Sequence, residues 1–268
     1  MIDLHSLSFR YRQDWVLQDI SFRIERGEFI GVIGPNGSGK STLLKTICRL
    51  LSPQKGEVLL NSTPLKDMKQ REIARKIAVV PQEAYSLFPF RVIEMVLMGR
   101  SPYLGHLMFE GAKDLEIAKK AMDWTEILPI SERAIDELSG GERKRVFIAR
   151  ALAQEPEVIL LDEPTANLDI HHQVDFLDLI LSLNREKGLT IVMASHDLNI
   201  ASEYCDRLIL LRGGRIFKIG SPREVITREN IEEVYGCEVW VDENPISKMP
   251  RINLLKKGKH SIESLERD

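Results

Sequence analysis

Nine consecutive residues, Gly34 to Thr42 (GPNGSGKST), carry the densest chemistry in the chain. Their spacing is G-x-x-x-x-G-K-[ST]. An apolar run, Phe29 to Ile33, precedes them, and Leu43, Leu44, Ile47 and Leu51 recur at helical spacing after them. Strand, glycine loop and helix form the context this motif needs to hold phosphate. Gly34, Gly37 and Gly39 let the backbone curl until successive N–H groups converge on phosphate oxygens. Pro35, Asn36 and Ser38 complete the loop, and the helix behind it adds its positive dipole end. Lys40 is suited to neutralise β and γ phosphates, Ser41 to ligate Mg²⁺ through its hydroxyl, and Thr42 to bond a phosphate oxygen. Taken alone, a glycine-rich turn is the competing reading, and the loop leaves the class of nucleoside triphosphatase open.

A second chemical element is Val158 to Leu161, an apolar strand that ends in Asp162 and Glu163. Beside a phosphate loop, Asp162 can hold Mg²⁺ through water, and Glu163, one residue further out, can polarise an attacking water. Without the loop the same pattern is an ordinary acidic turn. A third element, Leu138-Ser139-Gly140-Gly141-Glu142, contains S-x-x-E, a capping box that would start a helix carrying Arg143 to Ala153. Two glycines at the start of a helix also suit close approach to an anion.

These elements sit in a chain of 268 residues, long enough for one large domain or two small ones. The net charge of −3, with 29% charged residues, gives no global basic field to recruit nucleic acid or anionic lipid. Arg143, Lys144, Arg145 and Arg150 form a local basic patch, read here as a solvated helix face. Cys48, Cys205 and Cys237 are far apart and in no C-x-x-C pair, as expected of reduced thiols in a cytosolic protein. The N-terminal stretch MIDLHSLSFR lacks an apolar core and does not read as a secretory signal. No run of about 18 apolar residues suggests a membrane span.

Short alternating patterns between Ile2 and Arg26 predict antiparallel strands. Further strands are expected at Glu57 to Leu60 and Ile77 to Val80, around a short helix near Lys69 to Arg75. From Glu83 to Glu137 the spacing turns helical (Val92, Met95, Val96; Ile117, Ala118, Ala121, Met122), broken by prolines and glycines, and predicts a helical insertion in an α/β core. Strands at Val158 to Leu161 and Thr190 to Ala194, with helices between, imply a parallel sheet with ligand sites at its carboxyl ends. Arg207 to Leu211, Gly213-Gly214 and Arg215 to Ile219 predict a hairpin. A C-terminal extension opens at Gly220-Ser221-Pro222, with a polar tail from about residue 256. Asp169, His171 and His172 are close in sequence. Adjacent histidines point apart on a helix, which argues against a metal cluster there.

With the phosphate loop, the strand-end carboxylates and LSGGE in this order, the chain resembles the ATP-binding-cassette (ABC) family from about Leu4 to Ile219. Glu142 stands where the family more often has Gln. The resemblance implies an α/β P-loop NTPase fold with a RecA-like core, an antiparallel β-subdomain and a helical subdomain. The ATPase domain would span 1–220, with the helical subdomain at about 83–150 and the extension at 221–268. It implies ATP and Mg²⁺ as ligands, Glu163 as catalytic base, Gln82 as sensor of Mg²⁺ and the attacking water, and His196 as a γ-phosphate contact. Tyr11 matches an aromatic that stacks on adenine, although core packing of a strand tyrosine is open. Asp169 matches a loop that touches the opposite protomer, with Asn167 in place of the commoner Ala. Ser139, Gly140, Gly141 and Glu142 of one copy would close on ATP held by the loop of a second, in a two-fold homodimer.

Met98-Gly99-Arg100-Ser101-Pro102-Tyr103, Ser221 to Ile226, Asn230 to Gly236, Asn244-Pro245 and His172-Gln173 resemble segments of importers for iron chelates, haem and cobalamin. The implied protein is the ATP-hydrolysing subunit of such an importer. It would lie at the cytoplasmic face of the membrane, bound to separate permease subunits and acting indirectly with a substrate-binding protein, without nucleic acid. Ferric siderophore leads the cargo order, followed by haem, cobalamin and oxyanion. A permease helix is expected to dock near Gln82 to Met98 on Tyr85, Leu87, Phe88 and Met95, unless these only pack the subdomain. The competing class is a soluble regulatory or repair ATPase, and co-purification with a spanning partner separates the two.

Overall fold

The computed structural model describes residues 1–82, 89–105 and 110–256. β1 (Ile2–Arg10) and β2 (Trp15–Ile24) pair antiparallel, with Ile2 opposite Ile24 and Leu4 opposite Phe22. β3 (Phe29–Ile33) is buried along its whole length and leads through the glycine loop into α1 (Lys40–Ile47). The helix stops at Ile47, so Leu51, expected on its apolar face, lies beyond it. β4 (Lys55–Leu60), β5 (Thr63–Pro64), α2 (Gln70–Ala74) and β6 (Ile77–Val80) follow. The first sheet has the order β2-β1-β4-β5.

The next stretch is helical, with α3 (Val92–Leu97), a 3₁₀ turn at Met98–Tyr103, α4 (Ala112–Trp124) and α5 (Gly140–Ala153). The core then resumes with β7 (Val158–Asp162), α6 (Ile170–Lys187), β8 (Thr190–Ala194) and α7 (Leu198–Tyr204). β9 (Arg207–Arg212) and β10 (Arg215–Gly220) form the predicted hairpin around Gly213-Gly214. Both glycines have positive φ, 54° and 76°, as a two-residue turn of this twist requires. α8 (Pro222–Val225), α9 (Arg228–Tyr235) and a small hairpin of β11 (Val239–Glu243) and β12 (Pro250–Leu254) complete the described chain.

The second sheet runs β10-β9-β3-β8-β7-β6, parallel except for β10. Its side chains alternate between two cores, as a period of two demands. Phe29, Ile33, Ile159, Leu161, Ile191 and Met193 face the helical side. Ile30, Val32, Val158, Leu160, Val192 and Ala194 face α1 and the antiparallel sheet. Full burial of an aliphatic side chain contributes about 1.5–3 kcal/mol, so the four apolar residues of β7 alone supply about 6–12 kcal/mol of gross burial. That exceeds the cost of about 1–3 kcal/mol for a strained backbone at the strand's end.

The 3₁₀ turn is fastened to its surroundings by a buried cation. The Arg100 side chain is 3% exposed; it donates to Asp114 at 2.9 Å, to the Ala153 carbonyl at 2.7 Å and to Glu155 at 2.8 Å, and it lies 3.9 Å from the Tyr103 ring centre. Arg71 and Arg75 both donate to the Pro102 carbonyl, and the Tyr103 hydroxyl donates to the Gln154 carbonyl.

Two expectations are corrected here. The basic patch on α5 is not a solvated face. Lys144 is buried, Arg150 stacks 4.5 Å from the Phe147 ring centre, and Arg145 donates to Thr125 and Glu126. Met95, expected in a docking surface, is buried in the core with its sulfur facing Arg150. It packs the helical region, and Tyr85, Leu87 and Phe88 lie outside the described residues. The C-terminal segment contains a hairpin that the sequence reading did not announce. Ser202 donates to the Pro250 carbonyl, Asn199 exchanges two hydrogen bonds with Ile252, and Val225, Ile226 and Ile231 join the helical-side core.

Candidate nucleotide site

The phosphate loop is built as its glycines predict. Gly34, Gly37 and Gly39 have φ of 146°, 79° and 103°. At Gly39, the residue before α1, an added Cβ would also stand 2.8 Å from a Leu17 methyl carbon, so both conformation and space demand glycine. No side chain caps α1 and no acid lies in its first turn, which leaves the first amides of the helix open to an anion. The Ser38 hydroxyl is buried without a hydrogen-bond partner in the same loop.

Lys40 is only 6% exposed, and its ammonium donates to the Gly34 carbonyl at 2.8 Å and the Pro35 carbonyl at 3.2 Å. Burial lowers its pKa, against the opposing pull of Glu163 and Asp162. The Ser41 hydroxyl donates to Asp162 at 2.8 Å. Burial raises the Asp162 pKa, the charge of Glu163 adds to this, and the Ser41 hydrogen bond works against it. A desolvated carboxylate beside a hydroxyl and a second carboxylate is a hard-oxygen donor set that fits Mg²⁺.

Glu163 stands just beyond β7 with φ 45°, a left-handed conformation that is costly for a glutamate. Its amide donates to the Ala194 carbonyl at 3.0 Å, which ties the strained residue to β8. One carboxylate oxygen gathers two partners, Gln82 Nε2 at 2.9 Å and His196 Nδ1 at 3.2 Å. His196 is 58% exposed and follows β8, so strand ends bring Gln82, Glu163 and His196 together as the parallel topology requires. Lys144 joins this group unannounced by the sequence, donating from its buried ammonium to the Gln82 carbonyl at 2.9 Å. Burial lowers its pKa. Its signal was hidden because a lysine in a run of three cations, Arg143 to Arg145, reads as surface.

Tyr11 lies past the end of β1 and is 58% exposed, so the core-packing alternative does not hold. Its ring meets Phe9 edge-on at 4.9 Å, and its hydroxyl is 3.4 Å from Thr42 Oγ1. This presents an open aromatic face beside the phosphate loop.

Ser139 to Glu142 form a separate group. The Ser139 hydroxyl accepts the Glu142 amide at 3.2 Å and the Glu142 carboxylate accepts the Ser139 amide at 2.8 Å, the reciprocal capping box. Ser139 and Gly140 are exposed. Asp169 caps α6 through the His172 amide at 2.9 Å, and Asn167 has φ 62°, a conformation Asn tolerates better than Ala. Among the described residues no hydrogen bond or ion pair joins Ser139–Glu142 or Asp169 to the phosphate loop, Asp162 or Glu163. The histidines after Asp169 diverge: His172 turns back to Asp169, while His171 Nε2 faces Asp175 at 3.5 Å.

A phosphate-cradling loop and a strand-end carboxylate pair on a parallel sheet define a P-loop nucleoside triphosphatase. More narrowly, the chain belongs to the ABC transporter family, whose model matches residues 17–166, and it is an ATPase of that type. It is similar to the ferric enterobactin transport ATP-binding protein FepC of Escherichia coli, with 41% identity over 246 residues, covering 92% of this chain and 91% of that one. Among solved structures it is similar to an ABC transporter assigned to the metal-chelate type, in an inward-facing conformation. The TM-score there is 0.85 at 29% identity, covering 96% of this chain and 97% of that one. It also resembles a dimeric bacterial ABC transporter cassette, with a TM-score of 0.72 at 32% identity, covering 82% of this chain and 98% of that one.

Proposed function

We propose that this chain is the ATP-hydrolysing subunit of an importer for a metal chelate, with an iron complex as first choice of cargo. Two copies sandwich two ATP molecules at the cytoplasmic face of the membrane and drive separate permease subunits, which receive cargo from a substrate-binding protein. The observation that carries the reading is the Glu163 carboxylate, one residue beyond Asp162 and held by Gln82 and His196. The named transport roles of the relatives support the importer branch, and the dimeric cassette supports the sandwich.

In this reading Lys40 leaves the Gly34 and Pro35 carbonyls and donates to phosphate oxygens, while the open amides of α1 hold the remaining charge. Tyr11 offers its exposed ring to adenine. Ser41, Asp162 and Gln82 are the residues that would hold Mg²⁺, which would supply charge neutralisation at the phosphates. Glu163 accepts the proton of the attacking water. His196 and Gln82 orient that carboxylate, and His196 is free to turn to the γ-phosphate. Ser139, Gly140 and Gly141 of the second copy close the site; the Ser139 hydroxyl, which accepts from Glu142, keeps its proton to donate outward. Glu142 acts through the cap, and Asp169 meets the opposite protomer. The permease docks near Met98, which is exposed.

Glu163→Gln tests the reading. The variant should bind ATP as the parent does, accumulate as an ATP-bound dimer, and lose at least about a hundredfold in kcat. Light scattering with and without ATP, together with phosphate release, checks both halves. Normal turnover would remove Glu163 from the role of base.

A further inference from the structure

The nucleotide chemistry leaves His172 without a task, yet its ring sits between two segments of its own chain that the sandwich turns toward the opposite protomer. On one side, Nδ1 lies 2.8 Å and 2.9 Å from the two Asp169 carboxylate oxygens. Asp169 is ionised, its pKa lowered by the hydrogen bonds from the His172 amide and ring, so Nδ1 must carry the proton and donate it. On the other side the Cδ2 edge of the ring lies against Gly141. A methyl group built at Gly141 would overlap Cδ2 and stand 3.1 Å from Cγ and 3.2 Å from Nε2. Gly140, by contrast, meets only a Leu168 methyl carbon at 3.6 Å. The two glycines therefore differ: Gly140 is open to an outside ligand, and Gly141 is bare because its own chain fills the space.

We infer that His172 is a positioning residue that ties Asp169 to the first turn of α5 through Gly141, so that the two contacts made with the opposite protomer move as one. The inference rests on the sandwich reading above. Its physical basis is that a planar ring, locked by a carboxylate on one edge and packed on a backbone at the other, transmits displacement of either segment to the other. Without the ring, Asp169 still caps α6, but the α5 turn loses its stop. Closure over ATP then fixes two segments separately, at a higher entropic cost.

The purified full chain with ATP and Mg²⁺ tests this through ATPase kinetics and a fluorescent ATP analogue. His172→Ala should leave analogue affinity within about twofold, because the Lys40 half-site is untouched, and lower kcat about tenfold. His172→Asn, which keeps a donor for Asp169, should fall between. Gly141→Ala should be impaired at least about tenfold by collision with the ring, and adding His172→Ala should recover part of that loss instead of compounding it. An unchanged kcat in His172→Ala overturns the inference, as does a double variant whose loss equals the product of the single losses. Failure of the sandwich itself has a different signature, a Glu163→Gln chain that stays monomeric with ATP while His172 is intact.

Discussion

Asp162 is a carboxylate whose surroundings oppose its charge: burial and Glu163 both favour the protonated form, and they outweigh the Ser41 hydrogen bond. A folded-state pKa above the unfolded value contributes stability that is complete below the ordinary carboxylate range and is lost as pH rises through the raised value. At neutral pH without nucleotide, ionised Asp162 therefore works against the fold. Asp162→Asn keeps an acceptor for Ser41 and removes the charge, so the nucleotide-free variant should melt about 2–4 °C higher at pH 7, the equivalent of about 1 kcal/mol in a chain of this size. The difference should shrink as pH falls toward 4. Calorimetry with a chelator present reads both values, and a lower melting temperature at pH 7 would refute the argument. Much at this scale was legible because the chemistry is local: Gly34 to Thr42 and Asp162-Glu163 are read from adjacent residue types. Lys144 was not legible. Its ammonium bonds a carbonyl 62 residues away, and nothing in the run ERKR marks which cation turns inward.

At the scale of elements, Arg100 holds the 3₁₀ turn between α4 and the end of α5 with three partners and an aromatic face. Gly99 lies against the Arg150 carbonyl with no room for a side chain, so the turn is pinned on both sides. Removing one partner of a buried charge network leaves the others unpaired, which costs about 3–5 kcal/mol. Arg100→Ala should lower unfolding free energy by about that amount in denaturant titration, and Arg100→Lys should recover only part, because an ammonium lacks the fork that serves several acceptors. A loss below about 1 kcal/mol would mean that the network is solvent-relaxed and structurally idle. The strands were legible from their alternation and their uniform apolar runs. The C-terminal hairpin was not, because Val239–Glu243 and Pro250–Leu254 alternate weakly and their burial depends on Asn199 and Ser202 of α7.

For the whole molecule, the question is whether residues beyond Gly220 are an appendage. Val225, Ile226, Ile231, Val234 and Val239 are buried in the same core as β9. Their gross burial of about 8–15 kcal/mol rivals the entire net stability of about 5–15 kcal/mol for an ordinary domain. A chain ending at Gly220 should therefore be recovered as aggregate on expression. A soluble fragment with parental melting temperature and ATP affinity would show the core to be self-sufficient.

The pairing of β3 has a consequence for the order of synthesis. β3, which presents the phosphate loop, is framed by β8 and β9: Phe29 pairs with Ile191 and Ile33 with Leu210. The ribosome makes the loop early and its frame about 10–35 s later, at about 5–20 residues per second. During that interval the nascent chain displays a complete motif with no pocket around it and one of its most apolar strands unpaired. A transcript cut short before Leu210 yields a chain that carries the nucleotide signature without the strand that frames it.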